Sequence, residues 1–539
     1  MILAKIETLD DGAVDQNGDL LPILSKSSSN VNIQKLLDAP LPDFSKETPG
    51  SPFWTKFGMF LLQQVRYGLF REDHVSGIEN IPIDRGNMVC AWHTNGLVDP
   101  MCIYVSHPHY FVLAGRHDLV TRPILRFWTK RMAFQPVLRK AELLRGGCTQ
   151  EEADYLNGRS LLKLAQGIAS SHSVVLFPEG TSHSDAWMMK FRTGPMRTVL
   201  AAAALAKSQG KQIPVVVPCG LHFRKRHIFR TDAYVEFGKP IEILQEDIPN
   251  ELVEAVSQND WVEPDRENVV DLRDRLHEVL RPMTPDFESH DEHSVANLIG
   301  HYKARMEGNP YNQWDHEVRN TRTVREFLRE KEQWDYANRE PGARPNKMQC
   351  PVIESATKLE SILSSHKLNG RDLDDSGEKL SRFKPIKIPF NFIILLSFLA
   401  FSPLFVLSMG IQIFFGQILG NNTDEGLDAR TTFHLLTALF GSTIIWPVMA
   451  CLLTTMVLLN GELLGLDEVF GQGFGIYFSS IPIFVTIILL FRLSCSLAVR
   501  SWDICMDFFR ALRRLKCARK YSEEILLISK EIKDELAAY

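Results

Sequence analysis

NMVCAWHTNGLVDP, residues 87–100, joins a short apolar run directly to a His–Asp pair. NMVCAW (87–92) has the length and composition of a buried strand, and His93 and Asp99 follow it where a helix should begin. Similar runs recur downstream as YFVLAG (110–115), VVLFP (174–178), IPVVVPCG (213–220) and AYVEFG (233–238). Helical stretches alternate with them, among them TRPILRFWTKRM (121–132) and GRSLLKLAQGIAS (158–170). Such alternation predicts an α/β core, a mixed sheet flanked by helices, over residues 51–250.

The regions around this core differ in composition. Residues 1–50 are polar and rich in Ser, Asp and Pro, which predicts a disordered tail. The first residues turn acidic at once and lack the apolar core of a secretory signal, so membrane insertion is expected from internal segments. SPFWTKFGMFLLQQVRYGLF (51–70) is aromatic and mildly basic, and reads as an interfacial or core helix. Residues 251–385 are highly charged and predict solvated helices and linker. The 539 residues carry 60 Lys+Arg against 65 Asp+Glu, a net charge of −5 that does not mark a nucleic-acid binder. The nine Cys form no C-x-x-C pair, so neither a disulfide framework nor a metal site is expected.

After Lys384 the chain becomes apolar. Three runs, 388–420, 433–459 and 474–491, contain no charge and are long enough, or nearly so, to cross a bilayer. A membrane region is therefore expected over 386–495, followed by a basic, then amphipathic, cytosolic tail over 496–539. Lys379, Arg382, Lys384 and Lys387 precede the first run, and Arg492, Arg500, Arg510, Arg513, Arg514, Lys516, Arg519 and Lys520 follow the third. Positive flanks at both ends favour the cytosolic side twice, which asks for an even number of crossings. Pro403 in the middle of the first run suggests a re-entrant hairpin there, leaving two spans and placing the acidic loop 460–473 on the far side. The pattern Asn421-Asn422-Thr423 is a glycosylation sequon, expected to be unused so close to the apolar run.

Four segments carry candidate chemistry. In CAWHTNGLVDP (90–100), a carboxylate near an imidazole is the arrangement that general-base catalysis needs, although a His with a capping Asp would give the same spacing. In FQPVLRKAE (134–142), Arg139 closes a short apolar run and offers the bidentate donors that suit a phosphate; a surface ion pair is the plain alternative. In VVLFPEGTSH (174–183), Glu179 could accept hydrogen bonds from a polyol, while Gly180 and Thr181 lie in a turn that lets the backbone approach a ligand. The fourth, 213–240, is a strand, a basic connector and a second strand. Arg122, Arg126 and Lys130 share one helix face, and Arg224, Lys225 and Arg226 cluster in the connector. Both sets are candidate contacts for lipid headgroups or coenzyme A, or simply solvated cations.

In order and separation these segments resemble the four blocks of the glycerolphosphate and lysophosphatidate acyltransferase family. Phe177-Pro178-Glu179-Gly180 matches its F-P-E-G block, Arg139 the Arg closing its second block, and Ile213-Pro214-Val215 with Val217-Pro218 its fourth. The family's first block usually has four residues between His and Asp; here five separate His93 from Asp99. HTNGLVDP is similar in this to the fungal glycerol-3-phosphate/dihydroxyacetone-phosphate acyltransferases, as is the placing of membrane segments after the soluble domain. The resemblance covers residues 65–245.

It implies acyl transfer from acyl-CoA to the sn-1 hydroxyl of glycerol 3-phosphate, giving lysophosphatidate. His93 would be the base and Asp99 its orienting partner. Arg139, Glu179, Gly180 and Thr181 would bind the acceptor, with no cofactor or metal. Dihydroxyacetone phosphate or lysophosphatidate are alternative acceptors, and a non-catalytic scaffold on the same fold is the alternative of another class. The location implied is an integral membrane protein with a cytosolic catalytic domain, in the endoplasmic reticulum if eukaryotic or the inner membrane if bacterial.

Overall fold

The computed structural model describes residues 31–121, 123–138, 149–331, 339–382, 388–422, 427–460 and 474–538. Within the first of these, the chain is already folded before residue 50, correcting the expected tail over that stretch. Helix α1 (Ile33–Leu37) is capped by the Asn32 side chain and buries Leu36 completely against Val120, Phe134 and Leu156.

The core is a mixed sheet of β1 (Phe70–Ser76), β2 (Asn87–Ala91), β5 (Ser173–Leu176), β6 (Val215–Phe223) and β7 (Thr231–Phe237), in the order β1-β7-β6-β2-β5. The short β8 (Ile241–Glu242) pairs with β6 off this path. β2 runs parallel to both neighbours, with Asn87 beside Ser173 and Val215, and all five of its residues are buried. This double-sided burial explains why its sequence is a continuous apolar run rather than an alternating one. The 110–115 segment departs from expectation. Phe111 makes one bridge to Ser173, and the strand proper, β3 (Ala114–Arg116), pairs with β4 (Gln135–Val137) in a separate two-stranded sheet.

Helices cover the sheet. α6 (Gln150–Ala169) starts at a capping box formed by Thr149 and Glu152. α7 (Gly194–Ser208) presents Ala201 to Ala204 and Ala206, all wholly buried, so its backbone lies close to the sheet. α2 (Pro52–Leu69) packs Trp54 edge-on and stacks Phe57 on Trp128 of α5 (Pro123–Arg131), while Phe53 and Phe60 remain exposed. α3 (Val98–Ser106) follows β2, and α4 (Asp118–Thr121) follows β3.

Residues 251–385, expected as solvated helices and linker, are instead largely packed. They form α8 (Asn250–Ser257), α9 (Arg266–Leu280), α10 (His290–Met306), α11 (Trp314–Lys331) and α12 (Pro351–Ser365). Ile299, Tyr302, Leu328, Leu359 and Leu363 build a second core, into which the tail of the last helix inserts Cys517, Ile525, Ile528 and Ile532. Many charges of this region are paired and dry. Glu317 on α11 is fully buried and accepts from both terminal nitrogens of Arg224, which also binds Asp232 at 2.6 Å and stacks on Trp314. Burial disfavours a charged Glu317, but the Arg224 guanidinium and the His301 ring together outweigh it and hold the carboxyl down at about 2. The Arg224–Glu317 contact thus draws the helical region onto the sheet's basic connector.

Among the described residues, three helices are long and apolar enough to cross a bilayer: α13 (Ile388–Asn421), α14 (Leu427–Leu459) and α15 (Phe474–Ala538). The expected hairpin at Pro403 is absent, because α13 runs through the proline without a break. Proline cannot bond the carbonyl four residues back; here the Ser402 hydroxyl donates to that Leu399 carbonyl at 2.8 Å, and a π turn at Val406–Gly410 absorbs the remaining distortion. A Cβ on Gly416 or Gly441 would collide with Thr437 or Gln412, so small residues let α13 and α14 pack closely. α15 extends beyond its apolar part into the tail. It ties to the sheet domain through Arg71–Asp507 and Arg230–Asp503, and to the helical region through Asp372–Arg510.

Removing one partner of a buried ion pair strands the other charge. Glu317→Ala should therefore destabilise the protein by about 3 kcal/mol or more, read as a fall in the urea midpoint of the full chain in detergent. Lys56→Ala, at the exposed Lys56–Glu47 pair, should move it by less than about 1 kcal/mol.

Candidate active site

The candidate site occupies the turn between β2 and α3. His93 leaves the strand with its ring stacked on Phe177, centroids 4.0 Å apart, and its side chain 16% exposed. His93 Nδ1 lies 2.8 Å from Asp99 Oδ2. The same oxygen accepts the backbone N–H groups of Thr94 and Asn95, each at 2.8 Å. Asp99 is fully buried in the first turn of α3, where the helix dipole favours a negative charge. This arrangement sets Nδ1 as the protonated nitrogen and leaves Nε2 available as a proton acceptor.

Glu179 does not do what its place in a turn suggested. It is 3% exposed, and both oxygens are taken up by the protein. Oε2 accepts His93 N–H at 2.7 Å; Oε1 meets His183 Nε2 at 2.9 Å and accepts Met189 N–H at 2.8 Å. The carboxylate therefore braces the His93 loop and is not offered to a polyol. Gly180 turns the chain out of this buried position with φ +76°, a conformation glycine adopts at no steric cost, and Gly180 and Thr181 reach the surface. Burial disfavours protonation of His183, but the charge and hydrogen bond of Glu179, with Asp185, outweigh it and raise its pKa.

The basic connector divides by role. Arg224 is buried in the ion pair with Glu317 and Asp232, which removes it as a headgroup or coenzyme A contact; its 10% exposure leaves no face for one. Arg226 donates to the Thr94 carbonyl at 2.8 Å and the His183 carbonyl at 2.7 Å, clamping the His93 and Glu179 loops together. Lys225 is exposed. On α5, Arg126 is half-buried and Lys130 exposed, while Arg131 lies over Phe127 at 3.6 Å. Arg122 and Arg139 fall outside the described residues, so the proposed phosphate contact at Arg139 has no geometry here.

Several residues were missed in the sequence. Asn95 is 1% exposed, and its side-chain oxygen accepts the Thr431 hydroxyl at the head of α14. Leu97 N–H donates to Thr432 Oγ1 at 2.9 Å, and Leu435 is buried in the main core. Helix α14 thus touches the loop after His93 directly. His183 stood in plain view four residues after Glu179; nothing in the sequence linked Thr431 to Asn95.

Residues 73–221 match the family model described as Acyltransferase. The chain is 30% identical over 137 residues to glycerol-3-phosphate O-acyltransferase 1 of Saccharomyces cerevisiae, covering 25% of this chain and 17% of that protein. It is also 30% identical over 119 residues to glycerol-3-phosphate O-acyltransferase 2 of the same yeast, covering 21% and 16%. An uncharacterized acyltransferase of Schizosaccharomyces pombe matches at 30% over 119 residues, covering 22% and 16%. The matched segments thus span only 16–17% of these relatives' lengths. Among solved structures, the 1-acyl-sn-glycerophosphate (LPA) acyltransferase PlsC from Thermotoga maritima aligns with a TM-score of 0.26 and 17% identity, over 40% of this chain and 79% of that one. The stretch from β1 to near the end of β6 is thus similar to the acyltransferase family.

Proposed function

We propose that the protein transfers an acyl group from acyl-CoA to the sn-1 hydroxyl of glycerol 3-phosphate, forming lysophosphatidate, the first acylated intermediate of glycerophospholipid synthesis. The observation that carries this reading is the His93–Asp99 contact at 2.8 Å with His93 Nε2 left free of it, at the head of an acyltransferase domain similar to two yeast glycerol-3-phosphate O-acyltransferases.

His93 Nε2 takes the proton of the acceptor hydroxyl as its oxygen attacks the thioester carbonyl carbon. The tetrahedral intermediate then collapses, the C–S bond breaks, and the imidazolium returns the proton to the departing thiolate. Asp99 stabilises the imidazolium while it exists. Arg139 meets the acceptor phosphate. Glu179 and Arg226 act indirectly, by holding the His93 loop against the β5 turn. The catalytic domain faces the cytosol, where both substrates are soluble, and the product passes into the adjoining leaflet.

His93→Ala should lower turnover by about 10²–10⁴-fold without loss of folding, measured with purified protein and radiolabelled glycerol 3-phosphate. Asp99→Asn should also be severe. Parallel assays with dihydroxyacetone phosphate and lysophosphatidate identify the acceptor, and near-normal turnover in the His93 variant would refute the base assignment.

Arg139→Ala and Glu179→Gln should part company kinetically. Loss of a charge-assisted phosphate contact should raise the KM for glycerol 3-phosphate by about tenfold or more, with little change for acyl-CoA. Glu179→Gln turns an amide N–H₂ toward backbone donors, so it should depress kcat and leave both KM values nearly unchanged. The reverse pattern would exchange the two roles.

Orientation is open to labelling. Arg71–Asp507 and Arg230–Asp503 hold the α15 tail on the side of the sheet domain, so two of the three apolar helices cross fully and one does not; cysteines introduced at exposed Glu79 and Ser522 in a Cys-free background should then both react with an impermeant maleimide from the cytosolic face of sealed microsomes. Protection of either until the membrane is permeabilised would contradict the cytosolic placement.

A further inference from the structure

Arg430 is the one cation at the head of α14, followed by a run without charge to Leu459. It is 6% exposed, and it makes no hydrogen bond or ion pair with any described residue; its Nε is buried without a partner. That is an unusual state. A guanidinium carries five donors and keeps its charge at any physiological pH, so removing it from water without an anion is costly.

Its position is equally specific. The next residue, Thr431, bonds Asn95, and Thr432 accepts from Leu97, so Arg430 adjoins the loop that begins at His93. Gly420 backs it from α13: a Cβ there would lie 3.3 Å from Arg430 Cγ. On the other side is the basic connector, where burial, then the charges of Arg226, Arg430 and Lys225, lower the pKa of His227. The other arginines of this wall are engaged: Arg224 by Glu317 and Asp232, Arg226 by two carbonyls and Ser184.

We infer that Arg430 also binds the phosphate of the acceptor substrate, adding from the membrane region a second guanidinium to the one proposed at Arg139. This rests on the proposed reading of the reaction and deepens it. Glycerol 3-phosphate carries its reacting hydroxyl and its phosphate at opposite ends of a three-carbon chain. With the hydroxyl at His93, the phosphate must fall within a few residues of that loop. A buried guanidinium there is suited to a small ligand that enters the site, whereas a lipid headgroup would call for a cation open to the bilayer surface. A phosphate dianion would satisfy donors that the protein leaves unmatched.

The test uses the full chain in neutral phosphatidylcholine nanodiscs. Arg430→Gln should raise the KM for glycerol 3-phosphate about 10- to 100-fold, with a smaller effect on kcat and no more than about a twofold change in the KM for acyl-CoA. Arg430→Lys, which keeps the charge but not the fork, should fall between and guards against misfolding. Inorganic phosphate should compete with glycerol 3-phosphate in the wild type and at least tenfold more weakly in Arg430→Gln. A fall confined to kcat, a matching rise in the acyl-CoA KM, or unchanged phosphate competition would overturn the inference. So would an Arg430→Gln defect that appears only when anionic lipid is added, since the ligand would then be a headgroup. Direct binding of radiolabelled inorganic phosphate separates this idea from the reaction itself. If the wild type fails to acylate glycerol 3-phosphate yet binds phosphate through Arg430, the proposed reaction fails and the anion site stands. If both proteins bind equally, the site is refuted whatever the reaction.

Discussion

One buried carboxylate oxygen organises the candidate site. Asp99 Oδ2 receives three N–H groups, from the His93 ring and from the backbones of Thr94 and Asn95. A buried anion needs these donors, and two of them belong to the backbone of the turn that carries His93. The loop's path is therefore set by the electrostatics of Asp99. Five intervening residues give the chain enough length to leave β2, turn its amides inward and start α3 with Asp99 in the first turn. Glu179 repeats the arrangement one strand away, taking the His93 amide into a second buried carboxylate. β2 and β5 pair in parallel, with Cys90 beside Leu176, so their two following loops emerge together and the carboxylates can share a residue.

What was legible in the sequence was local or repetitive. β2, β5, β6 and β7 announced themselves because strands buried on both faces are continuous apolar runs. The His93–Asp99 contact was legible because both partners lie within one turn. Glu179 was placed at the site, but its role was misread. A polar residue in a turn looks available to a ligand, and only the folded chain brings the His93 amide to it, 86 residues away in sequence. The same limit hid the helical region. Its charges looked solvated because their partners are remote: Arg224 finds Glu317 across 93 residues. At Pro403 the error was one of weight. Ser402 stood beside the proline, and its hydroxyl replaces the hydrogen bond the proline cannot make.

The basic connector between β6 and β7 shows how separate parts become one unit. Arg224 enters the ion pair with the helical region, Arg226 clamps the His93 loop to the Glu179 turn, and Arg230 binds Asp503 on α15. Each contact uses the planar fork of arginine, which meets two acceptors at once and holds a direction that a lysine ammonium would not. Spaced by two and four residues, the three side chains leave one short segment toward three different partners.

The family match ends at residue 221, and every one of these clamps lies beyond it. Arg226 and the Thr431–Asn95 and Thr432–Leu97 contacts all act on the loop from outside the matched stretch. The matched residues therefore hold the His–Asp pair and the sheet that aims it. The groups that press on the far side of the loop come from the connector and from a helix long enough to cross a bilayer. A loop fixed only by Asp99 and Glu179 would still be free to hinge about Asn95 and Gly96. With Asn95 held by Thr431 and Leu97 by Thr432, that hinge is pinned to the head of α14. The membrane region is on this ground part of the site's scaffold, and any shift of α14 relative to the sheet must be felt two residues from His93.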